Sequence, residues 1–422
     1  MKSAVPGGFN PLFWLLTLWF LAMGGSVALA QDKFGFSLHG RQKMTRIPFQ
    51  LHSNLILVPV KLNNSDTLRF ILDTGVSTTI LTDPHAVKSG TLKSVRRVQI
   101  AGAGEGASLT ASVALGATLR MGDMVGYNQT VVMLDQDALA LSEYVGVPVH
   151  GIFGYDIFNN FVVTIDFTTR EIILENPGRY RYTRRKGEKY PITIEDTKPY
   201  FNAVAVVDHE RTVPLRLLID TGAGHALSLD VHSRSEIRQP AKVVRAQLGR
   251  GLSGVINGSI GRVEKVRIGT LELSNILACF PDSLAYGMKI AQRETRQGNI
   301  GCELLRRFKV TFNYPEQYMV LKPVKRNLRE AFEHNMSGME LIAKGQDFNQ
   351  FIIDHVLTDS PAALAGLQGG DELVSINGLH CRNMTISDIY KVLQRGDGRE
   401  IILAARRNGQ LFITSFELRR VI

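Results

Sequence analysis

The chain has 422 residues, 44% apolar and 21% charged, with 15 Pro. These values exclude an isolated module, a fibre and long disorder, and require two or three domains with sizeable cores. A surplus of 49 Lys+Arg over 39 Asp+Glu gives a formal charge of +10; spread over this length and joined by no nucleic-acid motif, it implies no nucleic-acid partner.

At the N-terminus Lys2 precedes the apolar run Pro11 to Phe20 and then Ala28-Leu29-Ala30. A positive start, an apolar stretch and a small-residue site read as a secretory signal over residues 1–30, cleaved after Ala30. An uncleaved anchor is the alternative, because Leu12 to Ala30 approaches the length of a bilayer span. Export opens disulfide chemistry to Cys279, Cys302 and Cys381. Three cysteines leave at least one unpaired, and for the first two a bridge and a pair of buried thiols are equally open. No spaced Cys/His cluster, phosphate loop or HExxH pair is present, so neither a metal nor a cofactor is expected.

Further along, short runs rich in β-branched, aliphatic and aromatic residues alternate with turn signals. Leu55–Leu62, Leu68–Leu72, Val95–Ile100 and Phe161–Phe167 read as strands, closed by Asn63-Asn64, Gly102 or Thr168-Thr169. Helical periodicity is brief, near Asp137 to Tyr144. Arg179, Arg181, Arg184, Arg185, Lys186 and Lys189 then form a basic cluster, which reads as a solvated linker, with an anionic surface as the alternative.

The pattern recurs. FILDTGVSTTIL at 70–81 returns as LLIDTGAGHALSL at 217–229, with Asp73 and Asp220 147 residues apart. The same offset carries Gly102 and Gly104 onto Gly249 and Gly251, Gly122 onto Gly269, and Gly154 onto Gly301. Behind the last pair, Phe161, Val163 and Thr164 fall on Phe308, Val310 and Thr311. A lone Asp-Thr-Gly arises by chance in roughly one chain in ten of this length. Two of them, each after three apolar residues and at one place in a long repeat, mark a duplicated unit. Two all-β lobes follow, 46–178 and 190–324, joined through 179–189.

An apolar strand running into Asp-Thr-Gly sets a carboxylate at the strand end, on a turn where Gly admits close backbone approach. Two such turns facing across a pseudo-twofold axis bring two carboxylates together. Both cannot ionise easily, so one proton is shared and the pair holds a base and an acid at once. With the downstream elements Ile152-Phe153-Gly154 and Asn299-Ile300-Gly301, residues 46–324 resemble the pepsin/retropepsin family of aspartic peptidases. The resemblance implies that Asp73 and Asp220 are the catalytic dyad, that Thr74 and Thr221 lock the two turns, and that Gly75 and Gly222 offer backbone amides. It implies flap hairpins at Gly102-Ala103-Gly104 and at Gly249 and Gly251, closing over an extended polypeptide substrate. Gly-rich turns in both copies look more like a retroviral dimer fused into one chain than like pepsin, whose flap Tyr has no counterpart here.

Three departures matter. Asn299 breaks the apolar-apolar rule of the second brace. Val76 and Ala223 stand where pepsin-like enzymes carry a hydroxyl that bonds a catalytic oxygen; losing that donor should raise the carboxylate pKa values and move activity toward neutral pH. His225 lacks the nucleophile and orienting partner of a Ser/His or Cys/His site and reads as a supporting or surface residue. Asp156, Asp166 and Glu303 read as structural.

Near residue 330 the repeat stops. Ser360 reads as the N-cap of a short helix that ends at Gly366, followed by the strand Glu372–Ile376 and the turn Asn377-Gly378. This SPAALAGLQGGDELVSING run resembles a PDZ domain of the bacterial type. In that family a strand following an apolar-Gly loop pairs with a peptide by β-augmentation, which implies a groove at Gly338, Met339, Glu340 and Leu341 beside a helix at Ile386–Leu393. Glu340 occupies a position often held by Gly, so docking of an internal segment, or of the chain's own protease lobes, stands beside capture of a C-terminus.

The expected fold is therefore all-β: a bilobal acid-protease fold with a pseudo-twofold internal repeat, followed by a small α+β PDZ domain over 330–422. The resemblance implies an exported, periplasmic aspartic endopeptidase. Its partners would be a polypeptide substrate and a PDZ-bound peptide segment or C-terminus, with no membrane contact once the signal is cleaved. A non-catalytic peptide-binding protein on the same fold is the alternative.

Overall fold

The computed structural model describes residues 34–40, 42–208, 211–282 and 296–422; the signal segment expected at 1–30 lies outside the described residues. The protein is all-β, with two protease lobes, a sheet that joins them, and a small PDZ domain.

Each lobe is built around its Asp-Thr-Gly strand. Leu68–Leu72 is a nearly continuous apolar run because both its faces are covered. Leu68, Phe70 and Leu72 enter the large core shared by the lobes, while Ile71 joins Leu57, Val145 and Val149 on the opposite face. The short strand Gly151–Phe153 runs parallel to Leu68–Leu72 and antiparallel to Thr79–Leu81. The second copy repeats this arrangement, with Gly298–Ile300 between Arg211–Ile219 and Leu227–Leu229.

A six-stranded sheet ties the halves together, its two central strands being Val162–Asp166 and Phe308–Asn313. Thr164 pairs with Thr311, and their hydroxyls lie 2.8 Å apart. Since these threonines are repeat equivalents, the pseudo-twofold axis passes between them. Phe158 stacks on Tyr314 and meets Phe312 edge-on beneath the sheet, each at 5.3 Å between ring centroids. Such buried aromatic pairs contribute about 1 kcal/mol each beyond their area.

The structure corrects two boundaries. The first lobe starts before residue 46, because Gly35–Leu38 pairs with Met124–Leu134 and Met44–Pro48 pairs with Glu171–Glu175. The basic stretch 179–189 is solvated, with Arg179, Arg181, Arg184, Arg185 and Lys189 exposed, but it is anchored rather than free. Tyr180 is buried, Lys186 lies over its ring at 3.8 Å, and Lys189 lies over Tyr318 at 3.7 Å. Glu188–Pro191 is an edge strand of the joining sheet. Aromatic faces hold these cations in place, which a count of charges does not register.

Cys279, Cys302 and Cys381 are all buried free thiols. Asp166 pairs with Lys309 at 2.8 Å. Glu303 meets Arg306 at 2.8 Å and the fully buried Arg307 at 3.0 Å. Arg307 also donates to the carbonyls of Asn327 and Glu330, anchoring the segment that leads to the PDZ domain. That domain has its own core and the sheet Met339–Lys344, Gln350–Val356, Glu372–Ile376, Glu400–Arg407, Gln410–Glu417, with the helix Ile386–Leu393. Ser360 caps its first helix by accepting from the Ala363 N–H.

Candidate active site

The two Asp-Thr-Gly turns meet at the lobe boundary and are locked reciprocally. The Thr74 N–H donates to the Thr221 hydroxyl and the Thr221 N–H to the Thr74 hydroxyl, both at 3.0 Å. Each hydroxyl then donates across the axis, Thr74 to the Ile219 carbonyl at 2.5 Å and Thr221 to the Leu72 carbonyl at 2.8 Å. Both threonines are fully buried. Four buried hydrogen bonds of about 1 kcal/mol each, all between the lobes, hold the two carboxylates at a set separation.

The braces fix the backbone behind them. The Phe153 carbonyl accepts from the Asp73 N–H and the Ile300 carbonyl from the Asp220 N–H, both at 2.9 Å. A Cβ on Gly154 would lie 1.6 Å from the Asp73 carbonyl oxygen, and one on Gly301 would lie 2.3 Å from that of His225, so both brace glycines are required by close approach. Gly75 and Gly222 donate to their own aspartates at 2.6 and 3.0 Å. A Cβ on Gly222 would sit 2.3 Å from the Asp73 carboxyl carbon, which shows how closely the turns face each other. Asp73 and Asp220 are within hydrogen-bonding reach. Burial first, and the Asp220 charge second, push Asp73 up to about 8 against the opposing Gly75 N–H. The direction is the one expected from Val76, but the main cause is desolvation.

The flaps are hairpins that touch at their tips. In the first, Ser94–Ile100 pairs with Leu109–Met121; in the second, Val243–Gly251 pairs with Gly254–Ile268. Ser253, which sequence reasoning did not single out, inserts between the Gly-rich residues of the first flap. Its N–H donates to the Ala103 carbonyl at 2.9 Å, its carbonyl accepts from Gly106 at 2.5 Å, and its hydroxyl accepts from Gly102 at 3.1 Å. A Cβ on Gly104 would lie 2.5 Å from the Ser253 backbone, and one on Gly251 2.2 Å from the Ala103 oxygen. Gly249 sits at a bulge with φ +152°. Val76, Ile100 and Leu252 pack against one apolar cluster of Ile80, Ala111, Leu134 and Leu139.

The expected peptide groove of the PDZ domain is partly covered: Gly338, Glu340 and Leu341 line a cavity that Tyr144 and Leu248 of the protease lobes also bound. Met339 and Leu341 are buried, and the Leu341 N–H already donates to the Tyr390 hydroxyl at 2.9 Å. Gly338, at φ +78°, packs on Ser360. The helix Leu141–Val145 of the first lobe lies against Met339–Lys344, and Gly146 touches Ile386 and Ala343. Lys344 pairs with Glu143, and Ser53 N–H donates to Ser387 at 3.0 Å. Glu340 accepts from the Gln247 N–H of the second flap at 3.2 Å. An acidic side chain at a position often held by Gly thus serves as a tie to the flap.

Comparison with known proteins agrees with this construction. An aspartyl protease model matches residues 58–157 and 204–304, and a PDZ domain model matches 352–407. Among curated proteins, tight junction protein ZO-3 of Canis lupus familiaris is 32% identical over 101 residues, and that of Homo sapiens 31% over 101 residues. Each match covers 24% of this chain, which spans about a tenth (10%) of the length of these relatives. The chain carries an aspartyl protease domain in two segments, each holding one Asp-Thr-Gly turn, followed by a PDZ domain.

Proposed function

We propose that the chain is an exported aspartic endopeptidase, a reading carried by the two carboxyls that the threonine lock brings within hydrogen-bonding reach. One carboxylate takes a proton from a water whose oxygen bonds to the peptide carbon, while the other carboxyl gives its proton to the carbonyl oxygen. Cleavage of the C–N bond sends a proton to the leaving amine, and a gem-diol proton returns, so the dyad again shares one. Closed flaps exclude bulk water from this step. The order Lys2, apolar run, Ala28-Leu29-Ala30 supports export, with the periplasm as destination; the N-terminal mass of protein from fractionated cells tests it.

The acid must hold its proton at working pH. Asp73, raised to about 8, is protonated below that value and loses its proton as pH rises through it. The alkaline limb of kcat/KM on a peptide substrate is therefore expected near pH 8. A limb at about pH 5, as in an ordinary acid protease, would contradict an acid held on the raised Asp73.

The PDZ domain acts in this reading as a regulator rather than an open recruiting groove. Beside its loop lies a cavity of about 240 Å³ bounded by Leu248 of the second flap, Tyr144, Leu341 and Tyr390. A peptide entering there would displace contacts that hold the flap. Glu340→Ala removes one flap tie, worth about 1 kcal/mol, so the open-flap population rises by up to about fivefold. Faster peptide hydrolysis, read as kcat/KM on a short substrate, is the expected result; a fall with unchanged folding would oppose a restraining role.

A further inference from the structure

The pseudo-twofold symmetry of the site is broken on one side. The Asn299 amide Nδ2 donates to Asp220 Oδ2 at 2.8 Å, and Asn299 Oδ1 faces His225 Nε2 at 3.1 Å. On the first side the brace position of Asn299 is taken by Ile152, which has no donor and packs in an apolar cluster with Leu57 and Ile71. The histidine also has no counterpart. Leu81 faces Gly151 whereas Leu229 faces Gly298, so the second copy holds one extra residue after its Asp-Thr-Gly, and the matching stretch of the first copy is Ser77-Thr78.

We propose that Asn299 and His225 are positioning residues that make Asp220 the ionised member of the dyad, and hence the base that activates water, leaving Asp73 to hold the shared proton. The inference rests on the peptidase reading above. An ionised carboxylate only accepts hydrogen bonds, so it requires the amide nitrogen, not the oxygen, of Asn299. The amide oxygen is then turned to His225, which must donate from Nε2. The ring fixes the amide against flipping, and the amide favours charge on Asp220 Oδ2, while the Gly222 N–H donates to Oδ1. Asp73 receives the Gly75 N–H but has no donor at its brace position.

The other charged and titratable neighbours do not reverse this asymmetry. Cys302, whose Sγ donates to the Thr221 carbonyl at 3.3 Å, is held neutral because burial, then Asp220, Asp73 and Glu303, push its pKa up. Tyr314 stays neutral for the same reasons, burial first and then Asp73 and Tyr155. Glu303 is matched by Arg306 and Arg307, and Asn54 bridges it to the Gly224 carbonyl. Lys198 acts on Asp73 as a weaker, opposing charge. Burial lowers the pKa of His225, while Asp220 and Asn299 raise it; neutral or charged, Nε2–H can donate.

The test measures kcat/KM against pH for wild type, Asn299→Leu, His225→Ala and His225→Gln, with carboxyl ¹³C NMR titration of each folded protein. Loss of a hydrogen bond to a charged group should raise the lower of the two dyad titrations, and with it the acid limb, by about one pH unit in Asn299→Leu. His225→Ala should move it the same way by less. His225→Gln, which keeps an N–H donor, should restore it. An unmoved lower titration in Asn299→Leu, or an activity loss equal at every pH, overturns the proposal. If Asn299→Leu fails to fold, the two His225 variants decide on the same readings. A wild type without peptide hydrolysis overturns the peptidase reading instead, and the NMR titration still reports on the asymmetry.

Discussion

Asp73→Asn and Asp220→Asn are each expected to lower peptide hydrolysis by at least about a thousandfold while leaving the protein folded. Each substitution removes either the group that takes the water proton or the group that protonates the carbonyl. An amide has nearly the same shape, so the threonine lock and the Gly75 contact have no reason to change; in Asp220→Asn the single amide oxygen can keep only one of the Gly222 and Asn299 donors. Stability should not fall in Asp73→Asn. A carboxyl whose pKa is pushed up to about 8 by burial and a neighbouring charge is an electrostatic strain on the fold at higher pH, and the amide relieves it. Turnover of a peptide substrate and the thermal midpoint of each variant check both halves, and retained hydrolysis in either would remove the dyad assignment.

Gly154→Ala is expected to damage the fold itself. The added carbon would meet the Asp73 carbonyl oxygen at 1.6 Å and its carbon at 2.7 Å. Both are backbone atoms, fixed by the Asp73 N–H to Phe153 bond and by pairing of Gly151–Phe153 with Leu68–Leu72. No side-chain rotation can relieve the contact, so either the brace or the Asp-Thr-Gly turn must move. The expected cost is about 3 kcal/mol or more, seen as a lower urea midpoint together with loss of hydrolysis. An unchanged midpoint would mean that the brace is looser than the close approach indicates.

Much of the site was legible because it is written twice. Asp73 and Asp220, their threonines and their brace glycines share one offset, and the fold superposes on that repeat. What the repeat hides is where the copies differ. Asn299 looked like a flaw in an apolar brace, yet its amide reaches a carboxylate that no apolar residue could serve. His225 offered no partner in sequence, because the partner lies on a strand 74 residues away. Ser253 went unnoticed for a similar reason: its contacts are with the opposite flap, not with its own hairpin. The basic stretch 179–189 is solvated as its charges indicate, but the aromatic rings that pin Lys186 and Lys189 are invisible to charge counting. The PDZ strand was found, but only tertiary packing shows that the first lobe lies across it and that Tyr390 takes the Leu341 N–H.

The central claim is that one chain supplies both carboxylates of a single site. The direct measurement is peptide hydrolysis by wild type, by Asp73→Asn, by Asp220→Asn, and by an equimolar mixture of the two variants after dilution and after joint refolding. The account predicts hydrolysis by wild type alone. Activity regained in the mixture would mean that a working site is assembled from two chains, contradicting a dyad locked within one.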